Sequence, residues 1–347
     1  MKKIGILTFH WATNYGAVLQ SYALQEALKK LGYDVQIINY KPKKFDDSLW
    51  HFVRYRKFLN ISEYLREHNK EHKLAKFRDV YLNVTKRYRS IIQLQTEHLN
   101  YDILITGSDQ ILNPSFLESG ENGGSTAYFL DFGNDNVKIV AYAASFGTTY
   151  YPEHLIQKCS KYVNKFNLIS SRELSGIDIF SKMGGDDVSL RPDPTLLHKS
   201  DFYYRLLDKQ EPVPFTIRMY MLRGREKSLT KQIQKEVGEI ISDPSIEGWL
   251  NAVNYSSHFI TNSFHGMVFC LLFHVPFSIV LNSIENTGMN DRFFTLLQEI
   301  GLEKRIFSEA NFSIKDLDYQ FDWEQVDTKI CEIRDRGWSF IKQIATC

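Results

Sequence analysis

The first forty residues carry the pattern that most constrains the fold of this chain. A short apolar run over residues 4–8 is typical of a buried parallel strand. After a turn at residues 14–16, small and apolar residues recur with helical spacing over residues 17–31 and stop at Gly32. A second apolar run follows at residues 35–38. A strand, a helix and a strand in this order predict a doubly wound α/β sheet.

Similar apolar runs follow along the chain. Residues 101–105, 137–143 and 167–171 are predicted to be strands, and each run ends at small or polar residues. In open parallel sheets, ligands bind outside the carboxyl ends of the strands. The polar segments that follow these runs are therefore candidate site residues: Ser108, Asp109, Gln110, Ser145, Arg172 and Glu173.

A second α/β series occupies the rest of the chain. Strands are predicted at residues 215–222, 258–261 and 276–281, and helices at residues 227–241, 266–273 and 324–344. We therefore expect two Rossmann-like, doubly wound domains with a cleft between them. The N-terminal domain is expected over residues 1–200 and the C-terminal domain over residues 201–347, with a linker at 198–214. The final helix could pack back on the N-terminal domain.

An insertion at about residues 41–98 differs from the rest of the first domain. From residue 41 to residue 89 the chain has 14 basic and 6 acidic residues, an excess of eight positive charges. A polar helix is predicted over residues 62–82. It is either a solvated surface helix or a surface for an anionic partner, such as a lipid-linked diphosphate or an acidic membrane leaflet.

Composition narrows the class of protein further. The 347 residues carry a net charge of only +1, which argues against a dedicated nucleic-acid binder. The four cysteines lack metal-site or disulfide spacing, which is typical of a reducing compartment. The N-terminal apolar run is too short for a signal peptide, and the apolar run at residues 267–273 is far below the ~20 residues of a membrane span. We expect a cytoplasmic protein without a bound metal.

Several common catalytic motifs do not occur in this sequence. No G-x-G-x-x-G follows the first strand and no G-x-x-x-x-G-K-[ST] is present, which argues against a dinucleotide oxidoreductase and a P-loop enzyme. The segment at residues 260–266 is more informative. Ser263 and Gly266 can stand at a helix N-terminus, where backbone N–H groups favour an anion. Between them, His265 is either a general acid or base with a suitable pKa or a hydrogen-bonded structural histidine.

The other polar segments have simple alternative explanations when each is taken alone. Asp109 could be a helix N-cap. Arg172 and Glu173 could form an ion pair of little energetic value. The segment at residues 290–292 precedes an apolar helix and could cap it. These alternatives stay open on the residues alone.

Together, however, the segments resemble the polysaccharide pyruvyl transferase family. Their order and spacing agree along nearly the whole chain, with residues 41–98 matching weakly. The matching segments are Asn14-Tyr-Gly-Ala-Val-Leu-Gln20, Gly107-Ser-Asp-Gln110 with Asn113-Pro114, Ala143-Ala-Ser-Phe-Gly147, Ser171-Arg-Glu173, Asp193-Pro-Thr-Leu-Leu197, Ser263-Phe-His-Gly266 with Pro276-Phe277, and Asn290 with Arg292.

The resemblance implies a GT-B-like fold and the transfer of a pyruvyl group from phosphoenolpyruvate to a sugar, usually as a cyclic ketal. It implies His265 as general acid or base, and Asp109 as the group that orients the acceptor or takes its proton. Arg172 and Arg292 are candidates to bind the two anionic groups of the donor. The other substrate-binding residues that it implies are Asn14, Tyr15, Gly16, Ser108, Gln110, Ser145, Glu173, Ser263, Phe264, Gly266 and Asn290.

The implied scheme requires phosphoenolpyruvate as a substrate and no cofactor or metal. The acceptor would be a saccharide, which could be lipid-linked, and the basic insertion could touch a membrane surface. Two positions depart from the family pattern, because Asn262 stands where members often have Asp and Leu112 where they often have Trp. Two other functions stay open: a glycosyltransferase of the same fold with a nucleotide-sugar donor, and a non-catalytic glycan-binding protein.

Overall fold

The chain divides into two compact units. Unit 1 comprises Met1–Leu197 and Arg336–Cys347, and unit 2 comprises His198–Asp335. A computed structural model describes residues 1–46, 61–97, 99–121, 124–133, 136–207, 216–222, 239–240, 243–281 and 288–346.

Unit 1 is built on a parallel sheet of six strands. The buried aliphatic side chains of the central strands form its core. In chain order the strands are β1 (Lys3–Leu7), β2 (Asp34–Ile37), β3 (Ile103–Thr106), β4 (Lys138–Ala144), β5 (Leu168–Ser171) and β6 (Ser189–Leu190). Their order across the sheet is β2-β1-β3-β4-β5-β6, and every pair is parallel.

The helices of unit 1 connect these strands. They are α1 (Tyr15–Lys30), α2 (Ile61–Tyr81), α3 (Ile91–Thr96), α4 (Pro114–Ser119), α5 (Glu153–Val163) and α6 (Leu174–Lys182). The first of them begins where predicted, because the Asn14 side chain accepts hydrogen bonds from two backbone N–H groups of the first turn. The left-handed Gly32, with φ of +85°, follows its last turn.

Helix α2 lies in the basic insertion, one residue from its predicted bounds. Its Phe77 ring packs edge-on against Tyr22 of α1, and Leu74 is buried. The Thr13 hydroxyl donates to Glu71 of α2 at 2.7 Å. One side of the helix is therefore part of the core of unit 1, while several residues of its other side are exposed. Contact of this insertion with a membrane surface stays a prediction.

Unit 2 has a second parallel sheet. Its strands are β7 (Ile217–Tyr220), β8 (Glu239–Ile240), β9 (His258–Thr261), β10 (Phe277–Leu281) and β11 (Ile306–Ser308), in the spatial order β11-β10-β9-β7-β8. Its helices are α7 (Ser200–Tyr204), α8 (Ile246–Asn254), α9 (Phe264–Phe273) and α10 (Asp291–Glu299). A last helix, α11 (Trp323–Thr346), contributes residues to both units.

Two predicted elements differ in the structure. The prediction of a helix over residues 227–241 is wrong near its C-terminal end, because Glu239 and Ile240 form β8 beside β7. Residues 227–238 lie outside the described residues. The predicted linker at residues 198–214 contains α7. The Tyr203 ring of α7 packs edge-on against Phe269, so tertiary packing orders a segment that lacks a strong local signal.

The two sheets confirm the predicted class of two Rossmann-like units. Both have the same strand order, in which the second strand lies outside the first and the third lies on its other side. The order therefore reverses between β1 and β3 in unit 1, and between β7 and β9 in unit 2. Ligand sites of open parallel sheets form at the carboxyl ends of such strands.

Candidate functional site

Polar side chains connect the carboxyl ends of β1 and β3 in unit 1. Thr8 follows β1, and its hydroxyl donates to the backbone carbonyl of Ser108 at 2.9 Å. Gln20 of α1 donates to the same Thr8 hydroxyl at 2.8 Å. All three residues are buried. The point at which the strand order reverses is thus held by side-chain hydrogen bonds.

A buried charge cluster continues from this point toward β5 and β6. The Arg172 guanidinium follows β5 and donates to the Asp193 carboxylate at 2.7 Å. Ser108 donates to the same carboxylate oxygen at 3.0 Å. Glu173 and Asp109 complete the cluster, with carboxylate oxygens 3.7 and 4.0 Å from the guanidinium. Four of the predicted site residues of unit 1 therefore lie together, namely Ser108, Asp109, Arg172 and Glu173.

These charges determine the protonation of the arginine. Burial alone would lower the pKa of the Arg172 guanidinium, but the negative charges of Asp193, Glu173 and Asp109 outweigh it and raise the pKa above its usual value. The guanidinium is therefore a permanent positive charge. The ion pair of Arg172 and Glu173 that the sequence suggested is present at 3.7 Å, but both side chains are buried and Arg172 also binds Asp193.

The backbone at this edge has unusual conformations. Asp109 has φ of +82° and Ala143 has φ of +45°. Both lie in the left-handed region, which few residues other than glycine adopt. The pairing of β4 with β5 shifts register between Ala141 and Ala144. Gly147 has φ of +63°, and a side chain on it would meet the Gln110 side chain at 2.8 Å. Such conformations persist where surrounding contacts impose them, and they are frequent at functional sites.

Ser145 lies beside this strained segment. Its N–H donates to the Asp109 carbonyl at 3.2 Å, and its carbonyl accepts from Leu112 at 3.2 Å. Within the described ranges, no group lies at hydrogen-bond distance from its buried hydroxyl.

Asn14, Tyr15 and Gly16 lie at the start of α1, beyond the carboxyl end of β1. The Asn14 side chain accepts from Gly16 N–H at 2.9 Å, which makes it the N-cap of the helix. Tyr15 is buried, and the ammonium of Lys70 lies 4.4 Å from its ring centroid. These three residues therefore have structural contacts, and their predicted part in substrate binding stays a prediction.

The corresponding edge of unit 2 carries the predicted histidine. Ser263 follows β9 and caps α9, because its hydroxyl accepts from Gly266 N–H at 3.2 Å. A side chain on Gly266 would meet the Thr261 hydroxyl at 2.9 Å, so the helix approaches the strand closely. His265 lies in the first turn of α9 and is 6% exposed. Its side chain is therefore almost completely enclosed.

Arg292 lies on α10, after β10, and shares an aromatic neighbour with His265. The carbon between its guanidinium nitrogens is 5.5 Å from the Phe264 ring centroid. That ring in turn lies edge-on to the His265 ring, 5.5 Å between centroids. Asn290 immediately precedes the helix. His265, Arg292 and Phe264 thus form one cluster of an imidazole, a guanidinium and a phenyl ring.

The two departures from the family pattern have different environments. Asn262 follows β9, and its side-chain oxygen accepts from the backbone of Leu222, beyond β7, at 2.6 Å. It therefore joins the two strands between which the order reverses in unit 2. Leu112 is 1% exposed and belongs to the core of unit 1. A tryptophan at position 112 of this structure would contact core side chains rather than solvent.

Sequence reasoning missed several members of the unit 1 network. Asp193 was noted only in a matching segment, although it binds Arg172, Ser108 and Thr195. Thr8 and Gln20 were not proposed as site residues either. The shared segments would have indicated Gln20 and Asp193, whereas Thr8 was the last residue of the run predicted as the first strand, which the structure ends at Leu7. Their partners are distant in sequence, so no local pattern revealed the contacts.

A comparison with known protein families finds a match. The model of a family described as polysaccharide pyruvyl transferase matches residues 14–283. The matched range contains the predicted segments from Asn14 to Phe277, whereas Asn290 and Arg292 lie beyond it. None of the curated proteins matches the chain.

Solved structures of other enzymes resemble the chain distantly. A UDP-GlcNAc 2-epimerase from Neisseria meningitidis is 7% identical over 98% of this chain and 94% of its own, with a TM-score of 0.43. A glycosyltransferase from Streptomyces sp. SF2575 is 8% identical over 99% and 100%, with 0.40. An E. coli heptosyltransferase is 12% identical over 95% and 99%, with 0.39. At these TM-scores the likenesses support no functional inference.

Proposed function

This chain belongs to the polysaccharide pyruvyl transferase family, and we propose that it transfers a pyruvyl group from phosphoenolpyruvate to two hydroxyls of a saccharide. One hydroxyl proton goes to the vinyl CH₂ of the donor, which becomes a methyl group, and the other leaves with the phosphate. Both hydroxyl oxygens end bonded to C2 of the former enol, as a cyclic ketal. The balance needs no oxidant, reductant or cofactor.

The observation that carries this proposal is the gathering of the family segments at strand ends. Four segments of unit 1 meet around Arg172, and the segments of unit 2 meet around Phe264. These groups include a carboxylate, an imidazole and a guanidinium, which are the types that proton transfer and anion binding require.

His265 is proposed as the general acid and base of the reaction. Protonation of a vinyl carbon makes C2 electron-poor, and a nearby imidazolium is a suitable donor at neutral pH. The ring lies in the first turn of α9, where backbone N–H groups and the helix dipole favour a phosphate. An imidazole in this position can also return a proton to the departing phosphate.

Arg292 is proposed to bind the anionic groups of phosphoenolpyruvate. A guanidinium offers two parallel N–H donors that match a carboxylate or a phosphate. Its side chain is partly exposed and stacks against Phe264 and Phe293, which restricts its orientation. Asp109 is proposed to accept the proton of the attacking acceptor hydroxyl.

Aromatic rings near the unit 1 edge support a saccharide acceptor. Trp11 follows β1, Phe116 lies on α4, and Phe45 lies between them in space. The rings of Phe45 and Phe116 are stacked at 5.7 Å, and all three side chains are partly exposed. Flat apolar faces beside polar groups suit the faces of sugar rings. The acceptor is proposed to be a glycan or a lipid-linked saccharide.

Phosphate release and ligand-dependent stability test the proposal. The purified chain is incubated with phosphoenolpyruvate and a panel of free and lipid-linked sugars, and free phosphate is measured. Phosphoenolpyruvate at 100 Kd should stabilise the fold by about 2.7 kcal/mol in a thermal shift assay. Stabilisation by a nucleotide sugar instead would indicate a glycosyltransferase, and glycan binding without phosphate release would indicate a non-catalytic protein.

A further inference from the structure

We infer that Arg172 is a positioning residue that acts through Asp109 rather than a residue that binds phosphoenolpyruvate. Asp109 would then be the member of the charge cluster that meets the acceptor hydroxyl. The inference rests on the proposed function, in which Asp109 accepts the proton of the attacking acceptor hydroxyl.

Exposure separates the members of the cluster. The side chains of Arg172, Asp193 and Glu173 are 1%, 0% and 3% exposed, whereas that of Asp109 is 18% exposed. A dissolved ligand can reach the Asp109 carboxylate without displacing protein atoms. The guanidinium is enclosed, so a phosphate could reach it only by displacing protein atoms, and its Nη1 already donates a 2.7 Å charged hydrogen bond to Asp193.

The two enclosed carboxylates have other structural contacts. Asp193 accepts from the N–H and hydroxyl of Thr195 at 3.0 and 2.7 Å, and from Ser108 at 3.0 Å. Glu173 accepts from Phe146 N–H, beyond β4, at 3.0 Å. These bonds connect the ends of β3, β4, β5 and β6. The guanidinium at their centre is therefore fixed relative to four strands.

The Asp109 carboxylate is held differently. Within the described ranges it accepts one hydrogen bond, from its neighbour Gln110 N–H at 2.9 Å. The same oxygen lies 4.0 Å from an Arg172 nitrogen. The positive charge therefore restrains this carboxylate at a distance, without a direct hydrogen bond, and leaves it accessible. An accessible carboxylate at a fixed position is suited to accept a hydroxyl proton.

The backbone adds an independent constraint. Asp109 has φ of +82°, in the left-handed region that aspartate enters more readily than most residues other than glycine. Its carbonyl accepts from Ser145 N–H at 3.2 Å, which ties the residue to the end of β4. The backbone sets the position of the carboxylate, and the Arg172 charge sets its direction. A displacement of about 1 Å from this geometry can reduce a rate by about 100-fold.

The test is a double-mutant cycle of R172K and D109N. Lysine keeps the positive charge of the cluster, but it lacks the planar guanidinium and its side chain is shorter. We expect R172K to lower kcat roughly 10- to 100-fold while KM for phosphoenolpyruvate changes by less than about threefold. Because Arg172 acts through Asp109, we expect R172K to cause no further loss of kcat in the D109N background. R191K, at an arginine beyond β6 of the same edge, is the matched control and should keep wild-type kinetics.

Other outcomes overturn the inference. A raised KM for phosphoenolpyruvate with kcat retained in R172K would make Arg172 a donor ligand. Losses that multiply in the double variant would show that Arg172 does not act through Asp109. If R172K does not fold, a crystal of the wild-type protein soaked with phosphoenolpyruvate tests the inference. An Arg172 nitrogen within 3.5 Å of an oxygen of phosphoenolpyruvate refutes it. Asp109 beside the acceptor site, with Arg172 farther from that site, supports it.

Failure of the proposed reaction gives a different result. A wild-type chain that releases no phosphate from phosphoenolpyruvate with any acceptor refutes the reaction and the inference with it. A wild-type chain that is active, together with either adverse result in R172K, refutes only the positioning role.

Discussion

The carboxyl edges of the two sheets differ in what holds their polar groups. In unit 1 a buried guanidinium is surrounded by carboxylates, and hydrogen bonds join the ends of successive strands. In unit 2 an imidazole and a guanidinium are both in contact with one phenyl ring. The same strand order therefore supports a charged, enclosed network in one unit and an aromatic cluster in the other.

This difference predicts different costs of substitution. Removing one partner from a buried ion pair leaves an uncompensated charge, so loss of the Arg172 charge should strongly destabilise the protein, in addition to the loss of kcat that is inferred for R172K. Substitutions in the unit 2 cluster remove a group that reacts or binds, and should mainly affect turnover or KM. Each prediction below challenges or refines this contrast.

The largest expected effect is that of H265N. Loss of a general acid or base typically lowers kcat by about 10²–10⁴-fold, and we expect phosphate release to fall within that range. The matched control is H274N, at the end of the same helix, where the histidine is partly exposed and bonds Asp327 at 2.8 Å. Asparagine tolerates the left-handed conformation of residue 274. Phosphate release near the wild-type rate by a folded H265N would exclude a catalytic role for His265.

The second prediction applies one substitution to both edges. R172M should lower the free energy of unfolding by about 3–5 kcal/mol, because it leaves buried carboxylates without their cation. R292M should change it by less than about 1 kcal/mol, since its side chain is only partly buried. Urea unfolding of both variants measures the difference.

R292M should also raise KM for phosphoenolpyruvate by roughly 10- to 100-fold, the usual loss of a charge-assisted hydrogen bond. R205M, at another arginine of unit 2 that lies over a phenyl ring, is the control. An unchanged KM in R292M would give Arg292 a structural role. Equal stability losses at Arg172 and Arg292 would remove the contrast between the edges.

The last expected effect is that of acid on stability. Burial lowers the pKa of His10 in unit 1 to about 4 and, with the Arg305 charge, that of His258 in unit 2 to about 3. The unfolded chain takes up these protons below about pH 6.5, whereas the folded chain does not, so stability falls as the pH decreases. For His10 alone the expected loss is about 2 kcal/mol between pH 7 and pH 5.

Urea unfolding at both pH values measures this loss. H10Q and H258Q should each flatten the pH dependence, because neither variant binds the extra proton when unfolded. A wild-type stability that is constant between pH 7 and pH 5 would contradict the prediction. A loss removed by only one variant would assign the acid sensitivity to one unit.

Much of the fold could be predicted because the determining signals are local. The apolar runs that became β1, β3 and β9 and the capped start of α1 depend on neighbouring residues. The prediction failed at Glu239, which pairs with β7, and at α7, whose Tyr203 packs against Phe269. Both depend on contacts that sequence periodicity does not contain.

The candidate site shows the same limit. Its polar residues were predicted from their positions after strands, and His265 from its place before a helix of small and apolar residues. The enclosure of Arg172 was not predicted, nor was the part of Asp193. Ser108 lies 64 residues from Arg172 and 85 residues from Asp193, so nothing local indicates that they touch.

The sequence by itself determined two series of parallel strands, the polar residues at their carboxyl ends and the family. Only the tertiary structure decided which carboxylates surround Arg172, which of them stays accessible, and that Phe264 lies against both His265 and Arg292. The physical reason is distance. Strand and helix formation follow from side chains a few positions apart, whereas charge pairing and burial depend on separations of a few ångströms between residues far apart in the chain.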